Sequence, residues 1–271
     1  SYTALQAYAK CPYRFYLQRV LGLPAEPPPP PPAEEAERAT AHDSGLDPRV
    51  RGSLVHGLLE SLDFARPARP DPQDIAELAR THGVETTAAD VDDIGALVAA
   101  FGASPLCERL ASARRVRREA GFAFALEPGG GGSLVNGFVD VMASEAPGSR
   151  LIVDYKTDRL DGADPAEVVE RDYATQRVVY ALAALRDGAE RVDVAYCFLE
   201  RPDEPVVRGF TAADASALAE QVVSLARGVL DERYPVTASP HRELCGDCPG
   251  RRALCSHPES RTLAPATQPA G

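Results

Sequence analysis

The sequence predicts an α/β (α+β) fold: a mixed central β-sheet flanked by helices, with a helical region before it and a cysteine cluster after it. Three observations predict it. Apolar residues recur at helical spacing over 2–21 and through 49–113, strand-length apolar or alternating runs dominate from 119 to 211, and three of the six cysteines gather just before the C-terminal tail. With 271 residues, 44% of them hydrophobic, the chain can bury one substantial core, or one core with a smaller helical appendage.

Taken in order, residues 2–21 (YTALQAYAKCPYRFYLQRVL) carry aromatic and aliphatic side chains at helical spacing, with Thr3 as N-cap, so that 1–23 forms an N-terminal helix bearing Cys11. Residues 24–48 contain six consecutive prolines followed by acidic and small residues, which reads as a disordered loop. A helical region, 49–113, is expected to hold helices at 49–64, 72–82, 90–101 and 104–113. A core then runs from 114 to 235. Its strands are predicted at 119–126, at 133–143 beyond a glycine run, and at 150–157. A long helix over 164–185 precedes strands at 192–200 and 206–211 and a last helix over 214–230. The cysteine segment, 236–258, and a disordered tail, 259–271, complete the chain as cysteine-bearing coil.

The net charge of −11 argues against a protein that coats nucleic acid generically. A local stripe of Arg109, Arg114, Arg115, Arg117 and Arg118 could still follow a phosphate backbone, or be a solvated face. Only two lysines, Lys10 and Lys156, stand among 29 basic residues, which makes Lys156 hard to dismiss as surface filler. No stretch approaches eighteen apolar residues, so no membrane partner is expected, and no secretory leader is visible. The opening at Ser1 and the proline-bearing tail suggest a domain of a longer polypeptide. Six cysteines without a leader do not read as a disulfide framework.

The sharpest local signal is Asp140 in GFVDVM with Asp154 and Lys156 in IVDYKT. Strand residues two apart share a face, so Asp154 and Lys156 project together, and a short turn can return Asp140 beside them. Two carboxylates on one face repel unless a cation lies between them, and hard oxygen ligands suit Mg2+ or Mn2+. The Tyr155 carbonyl would point near such a cation, and Lys156 could orient water. The bland alternative is an Asp154–Lys156 ion pair on a solvent face; the flanking Leu151, Ile152 and Val153 instead make the strand interior. Glu119 could add another carboxylate. Gln176 and Tyr180, four apart, share one helix face and could form an interior hydrogen bond or a polar face toward a ligand. Cys245, Cys248 and Cys255, with Cys11 from afar, could ligate Zn2+ or an iron–sulfur cluster. Cys107 and Cys197 sit in apolar contexts and are expected in the core.

GFVDVM…LIVDYKTD resembles the D-(x)n-(D/E)-x-K core of the PD-(D/E)xK nuclease superfamily, and more narrowly its RecB-like branch, found at the C-termini of UvrD-like helicase–nucleases of the AddA, AddB and RecB type. RGSLVHGLLE resembles that branch's upstream helix motif, YATQRVVYALA its Q-x-x-x-Y motif, and YTALQAYAKCPYRFYLQRVLGL the start of its iron–sulfur members. The resemblance implies a restriction-endonuclease-like sheet and Mg2+-dependent cleavage of single-stranded DNA. It further implies a helicase motor in the same parent chain or a partner subunit, serving double-strand-break repair in a bacterial cytoplasm. It implies His56, Asp140, Asp154 and the Tyr155 carbonyl as metal ligands, Lys156 beside the nucleophile, and Gln176 and Tyr180 placing the DNA strand. It also favours a [4Fe–4S] cluster on Cys11, Cys245, Cys248 and Cys255 over Zn2+, although the last cysteine spacing is one residue longer than the family's usual. No G-x-x-x-x-G-K-[ST] occurs, so any motor lies elsewhere. Other readings are an inactive DNA-binding scaffold of the same fold and a stand-alone exonuclease of the CRISPR-adaptation type.

Overall fold

The computed structural model describes residues 2–27, 29, 45–126 and 133–266. They divide into two compact units, one built from both chain ends (1–40 and 220–271) and one from residues 41–219. In chain order the helices are α1 (Tyr2–Lys10), α2 (Pro12–Phe15), α3 (Pro48–Ser61), α4 (Pro72–Thr81), α5 (Ala88–Gly102), α6 (Pro105–Ala111), α7 (Pro165–Val168), α8 (Ala174–Arg186), α9 (Ala215–Leu230), α10 (Arg242–Cys245) and α11 (Glu259–Thr262). The strands are β1 (Arg115–Ala125), β2 (Leu134–Ala146), β3 (Ser149–Lys156), β4 (Arg191–Phe198) and β5 (Val206–Thr211).

The larger unit is one five-stranded sheet in the order β1-β2-β3-β4-β5. Only β3 and β4 are parallel; the other neighbours are antiparallel. A parallel pair needs a long crossover, and α7 and α8 supply it. The tight β2–β3 hairpin turns at Gly148, φ 71°, where a Cβ would lie 2.9 Å from Glu190. One face of the sheet (Val141, Ala143, Leu151, Val153, Tyr155, Ala195, Cys197) packs against α3 to α6, notably Leu54, Leu59, Val98 and Phe101, in a single core. Each fully buried Leu or Phe there contributes about 1.5–3 kcal/mol. Cys107 and Cys197 lie in this core as expected, and burial pushes the Cys197 thiol up to about 12. Four of these helices start alike, with a side chain of Asp47, Asp71, Thr87 or Ser104 accepting from a first-turn amide. Among the described residues no single helix is long and apolar enough to cross a membrane; α5 and α6 reach that length and composition only when joined, and they are bent by 62°.

The strands and most helices fall where the sequence predicts, and the differences have local causes. The helix expected over 2–21 breaks at Cys11, which is extended (φ −156°, ψ 102°), because Pro12 lacks an amide and disfavours helical geometry before it. Thr3 lies inside α1 rather than capping it. A π-helical turn, Tyr16–Val20, follows α2. The helix expected over 164–185 also carries a π turn, Val169–Tyr173, between α7 and α8. The coil expected at the C-terminal end holds α10 and α11 instead, and Thr262, in the expected disordered tail, is 1% exposed. Of the proline-rich loop, residues 28 and 30–44 lie outside the described residues, as do 127–132 and 267–271.

Within the smaller unit, Arg14 of α2 donates to the Leu244 carbonyl and to Asp247 (2.9 Å), tying the first cysteine segment to the last. Arg251, its side chain 1% exposed, lies between Glu26 and Glu259.

Candidate active site

The apolar run Leu151–Ile152–Val153, each 0% exposed, makes β3 a central strand, and Asp154 continues it at 3% exposure. The pleat delivers Asp154 and Lys156 to one side as expected: Lys156 Nζ lies 2.6 Å from Asp154 Oδ1. This is the ion pair of the bland reading, but it is buried rather than on a solvent face. The last regular β2–β3 pair is Val141↔Val153. Beyond it the Asp140 carboxylate takes the place of the ladder, accepting the Tyr155 amide at 2.7 Å through Oδ2. Its Oδ1 is 3.5 Å from Nδ1 of His56, which α3 carries in over the edge of the Tyr155 ring. The Tyr155 side chain itself is packing, set edge-on to Phe101 at 4.8 Å.

Gln176 and Tyr180 share a face of α8, but that face is turned inward: they are 2% and 1% exposed. Of the two arrangements the spacing allows, this is the interior hydrogen bond. Gln176 Nε2 donates to Asp154 Oδ2 and to the Tyr180 hydroxyl, both at 2.9 Å, while its Oε1 accepts from Lys156 at 3.2 Å. The amide therefore bridges the ion pair. The Tyr180 hydroxyl lies 3.1 Å from Asp154 Oδ2 and 3.0 Å from the Phe138 carbonyl, and its one proton serves one of them at a time.

Two further groups escaped sequence reasoning. The Lys156 ammonium lies over the Tyr173 ring, 3.9 Å from its centroid, and Tyr173 donates to Asp158 at 2.8 Å. The only sequence cue is that Tyr173 stands three residues before Gln176, and the π turn resets that spacing. Glu60 follows His56 by one helical turn and its charge reaches Glu119. Glu119 has φ 43° and interrupts the β1–β2 ladder between Arg118↔Val141 and Ala120↔Val139, opposite Asp140. Such a backbone costs about 1–3 kcal/mol in a non-glycine residue. The arginine stripe does not form as a unit. Arg109 binds Glu145 and Asp193, Arg118 lies 4.3 Å over Phe64, and Arg114, Arg115 and Arg117 are exposed.

The electrostatics single out Asp154. Burial, opposed by the Lys156 charge and reinforced by Asp140, raises its carboxyl to about 6. His56 is raised too: burial works against its charged form, but the Asp140 hydrogen bond and the Asp140 and Asp154 charges outweigh it. Burial, then the Asp140 and Glu60 charges, raise Glu119.

This donor set, two carboxylates and an imidazole, suits a small divalent cation. Asp154 Oδ1 is fully buried without a well-directed hydrogen bond, although Lys156 stands next to it. Among the described residues no three His, Cys, Asp or Glu side chains form a ready-made cage. A cation would therefore compete with Lys156 for Oδ1.

In the smaller unit Cys11, Cys245, Cys248 and Cys255 line one cavity together with Arg14, Thr237 and His257. The Arg14 amide donates to Cys11 Sγ at 3.4 Å at the start of α2. Burial raises Cys245 and Cys248, each also sensing the charge of Cys11. The four cysteines share this lining without meeting as a ready-made metal cage among the described residues.

A family model described as the PD-(D/E)XK nuclease superfamily matches residues 1–255. Two proteins described as subunits of an ATP-dependent helicase/nuclease are similar to parts of the chain. That of Anoxybacillus flavithermus is 29% identical over 138 residues, 50% of this chain and 11% of the relative. That of Desulforudis audaxviator is 34% identical over 167 residues, 57% of this chain and 13% of the relative. This chain thus spans a small part of the length of either. A crystal structure of a candidate exonuclease from Eubacterium rectale shares the fold, with a TM-score of 0.51 at 14% identity over 95% of this chain and 90% of that one.

Proposed function

Because the chain belongs to the PD-(D/E)XK nuclease superfamily, we propose that it is the nuclease domain of a helicase–nuclease, hydrolysing phosphodiester bonds of single-stranded DNA during double-strand-break processing. The observation that carries this reading is the buried Asp154, its Oδ1 paired with Lys156, beside Asp140 and His56. The helicase context rests on the two helicase/nuclease relatives.

His56, Asp140, Asp154 and the Tyr155 carbonyl would hold Mg2+ or Mn2+, which supplies Lewis acidity toward the phosphodiester and lowers the pKa of water. The chain's own groups do the rest. Tyr180 and Gln176 fix Asp154 Oδ2, leaving Oδ1 as the presented lone pair. Gln176 Oε1 and the Tyr173 ring hold the Lys156 ammonium in place once it leaves Asp154, so that its donors face charge developing on the phosphate. Gln176 and Tyr180 are thus positioning residues for the carboxylate and the ammonium. In the same reading Cys11, Cys245, Cys248 and Cys255 carry a structural [4Fe–4S] cluster, with Zn2+ as the alternative, clasping two segments far apart in sequence.

Anaerobically purified protein should cleave labelled single-stranded DNA with Mg2+ and not with EDTA. Asp154→Ala and Lys156→Ala should each reduce the rate at least about 100-fold. Undiminished cleavage by either variant removes this centre from the reaction.

A further inference from the structure

Phe138 is 64% exposed, although it lies between Gly137 and the fully buried Val139 in the interior of β2. Alternation along the strand puts Phe138 and Asp140 on the same side, roughly 6.6 Å apart along the backbone. Phe138 pairs with Gly121 of β1. Its ring lies over that glycine, since a Cβ on Gly121 would stand 3.3 Å from Phe138 Cε1. The ring therefore rests against the neighbouring strand while the side chain stays open to solvent. The Phe138 backbone is also tied to the reaction centre: its carbonyl is 3.0 Å from the Tyr180 hydroxyl, which is 3.1 Å from Asp154 Oδ2. Farther along the same side stands Leu134, 60% exposed.

From this placement we infer that Phe138 is a stacking platform for the nucleobase next to the scissile phosphate, an inference that rests on the nuclease reading above. A flat aromatic face within one nucleotide's reach of Asp140 binds any base without regard to sequence, because every base has a π-face. The occupant is a single strand, since bases in a duplex are already stacked on one another and cannot lie on the ring. The platform accounts for how an acidic chain, net charge −11, grips a polyanion beside two carboxylates: the base supplies affinity that phosphate contacts there would not.

The test measures oligothymidylate binding by fluorescence anisotropy in EDTA and steady-state cleavage in Mg2+, for the full chain and for Phe138→Ala and Phe138→Trp. Phe138→Ala should bind about tenfold more weakly and lose kcat/KM through KM, whereas Phe138→Trp should retain both. A single abasic site stepped along the substrate should weaken binding to wild type at one position next to the cleaved bond, and have no added effect on Phe138→Ala. Binding by Phe138→Ala within twofold of wild type, a flat abasic scan, or an equal loss on duplex DNA overturns the platform while leaving the nuclease reading intact. If wild type neither binds nor cleaves single strands, both fall. The abasic scan uses wild-type protein, so it decides the matter even if a variant misfolds.

Discussion

Tyr180→Phe removes one hydroxyl from the interior of the site without changing its shape. The lost groups are the acceptor for Gln176 Nε2 and a donor shared between Asp154 Oδ2 and the Phe138 carbonyl. A hydrogen bond to a charged group contributes about 1.5–3 kcal/mol and a neutral one about 1 kcal/mol, while the more apolar ring returns part of this. We expect a net loss of about 2–3 kcal/mol. A unit of this size moves about 2–4 °C in Tm per kcal/mol, so the metal-free melt should fall by roughly 5–10 °C. The hydroxyl also stabilises the ionised form of Asp154, so its removal raises that carboxyl further in the metal-free protein. Because Tyr180 is 1% exposed, oligonucleotide affinity should stay within twofold while kcat falls. A tenfold loss of affinity with an unchanged melt would show the hydroxyl touching DNA and refute the inward assignment.

On the proposed cluster reading, Cys245→Ser should bring iron from about four atoms per chain to near zero and lower the melting temperature, measured by metal analysis and scanning calorimetry; unchanged iron would exclude this sulfur. Gly148→Ala should cost about 1–2 kcal/mol in urea denaturation, from its φ of 71° and the Glu190 side chain in its way; an unmoved midpoint would contradict the hairpin geometry. His56 is raised in the folded state, so it contributes stability below the unfolded value near 6.5 that is lost as pH climbs through the folded one. In EDTA the Tm advantage of wild type over His56→Gln should accordingly be larger at pH 5.5 than at pH 8, and a gap that widens with pH would reverse the sign of the Asp140 interaction.

Much of this protein is written locally. The Leu151–Val153 run announces a central strand, and a period of two then obliges Asp154 and Lys156 to share a side; nothing distant is needed for that inference. Pro72 marks a helix start by itself, and the C-x2-C-x6-C spacing marks a candidate ligand group, whereas the helical spacing over 2–21 runs on through Pro12 and hides the break there. The site's inner arrangement is not local. Gln176 and Tyr180 look the same in sequence whether they face DNA or the protein, and only the seating of α8 against β4 and β1 turns them inward. The π turn that brings Tyr173 over Lys156, the parting of β2 from β3 that frees the Asp140 carboxylate, and the φ of 43° at Glu119 carry no residue signature either. By itself, then, the sequence determined which charged groups exist and which strand bears them, because backbone periodicity acts over two to four residues. Tertiary structure alone decided which are buried, which are paired and which aromatic ring is left open, because those outcomes depend on segments brought together from 15 to 84 positions apart.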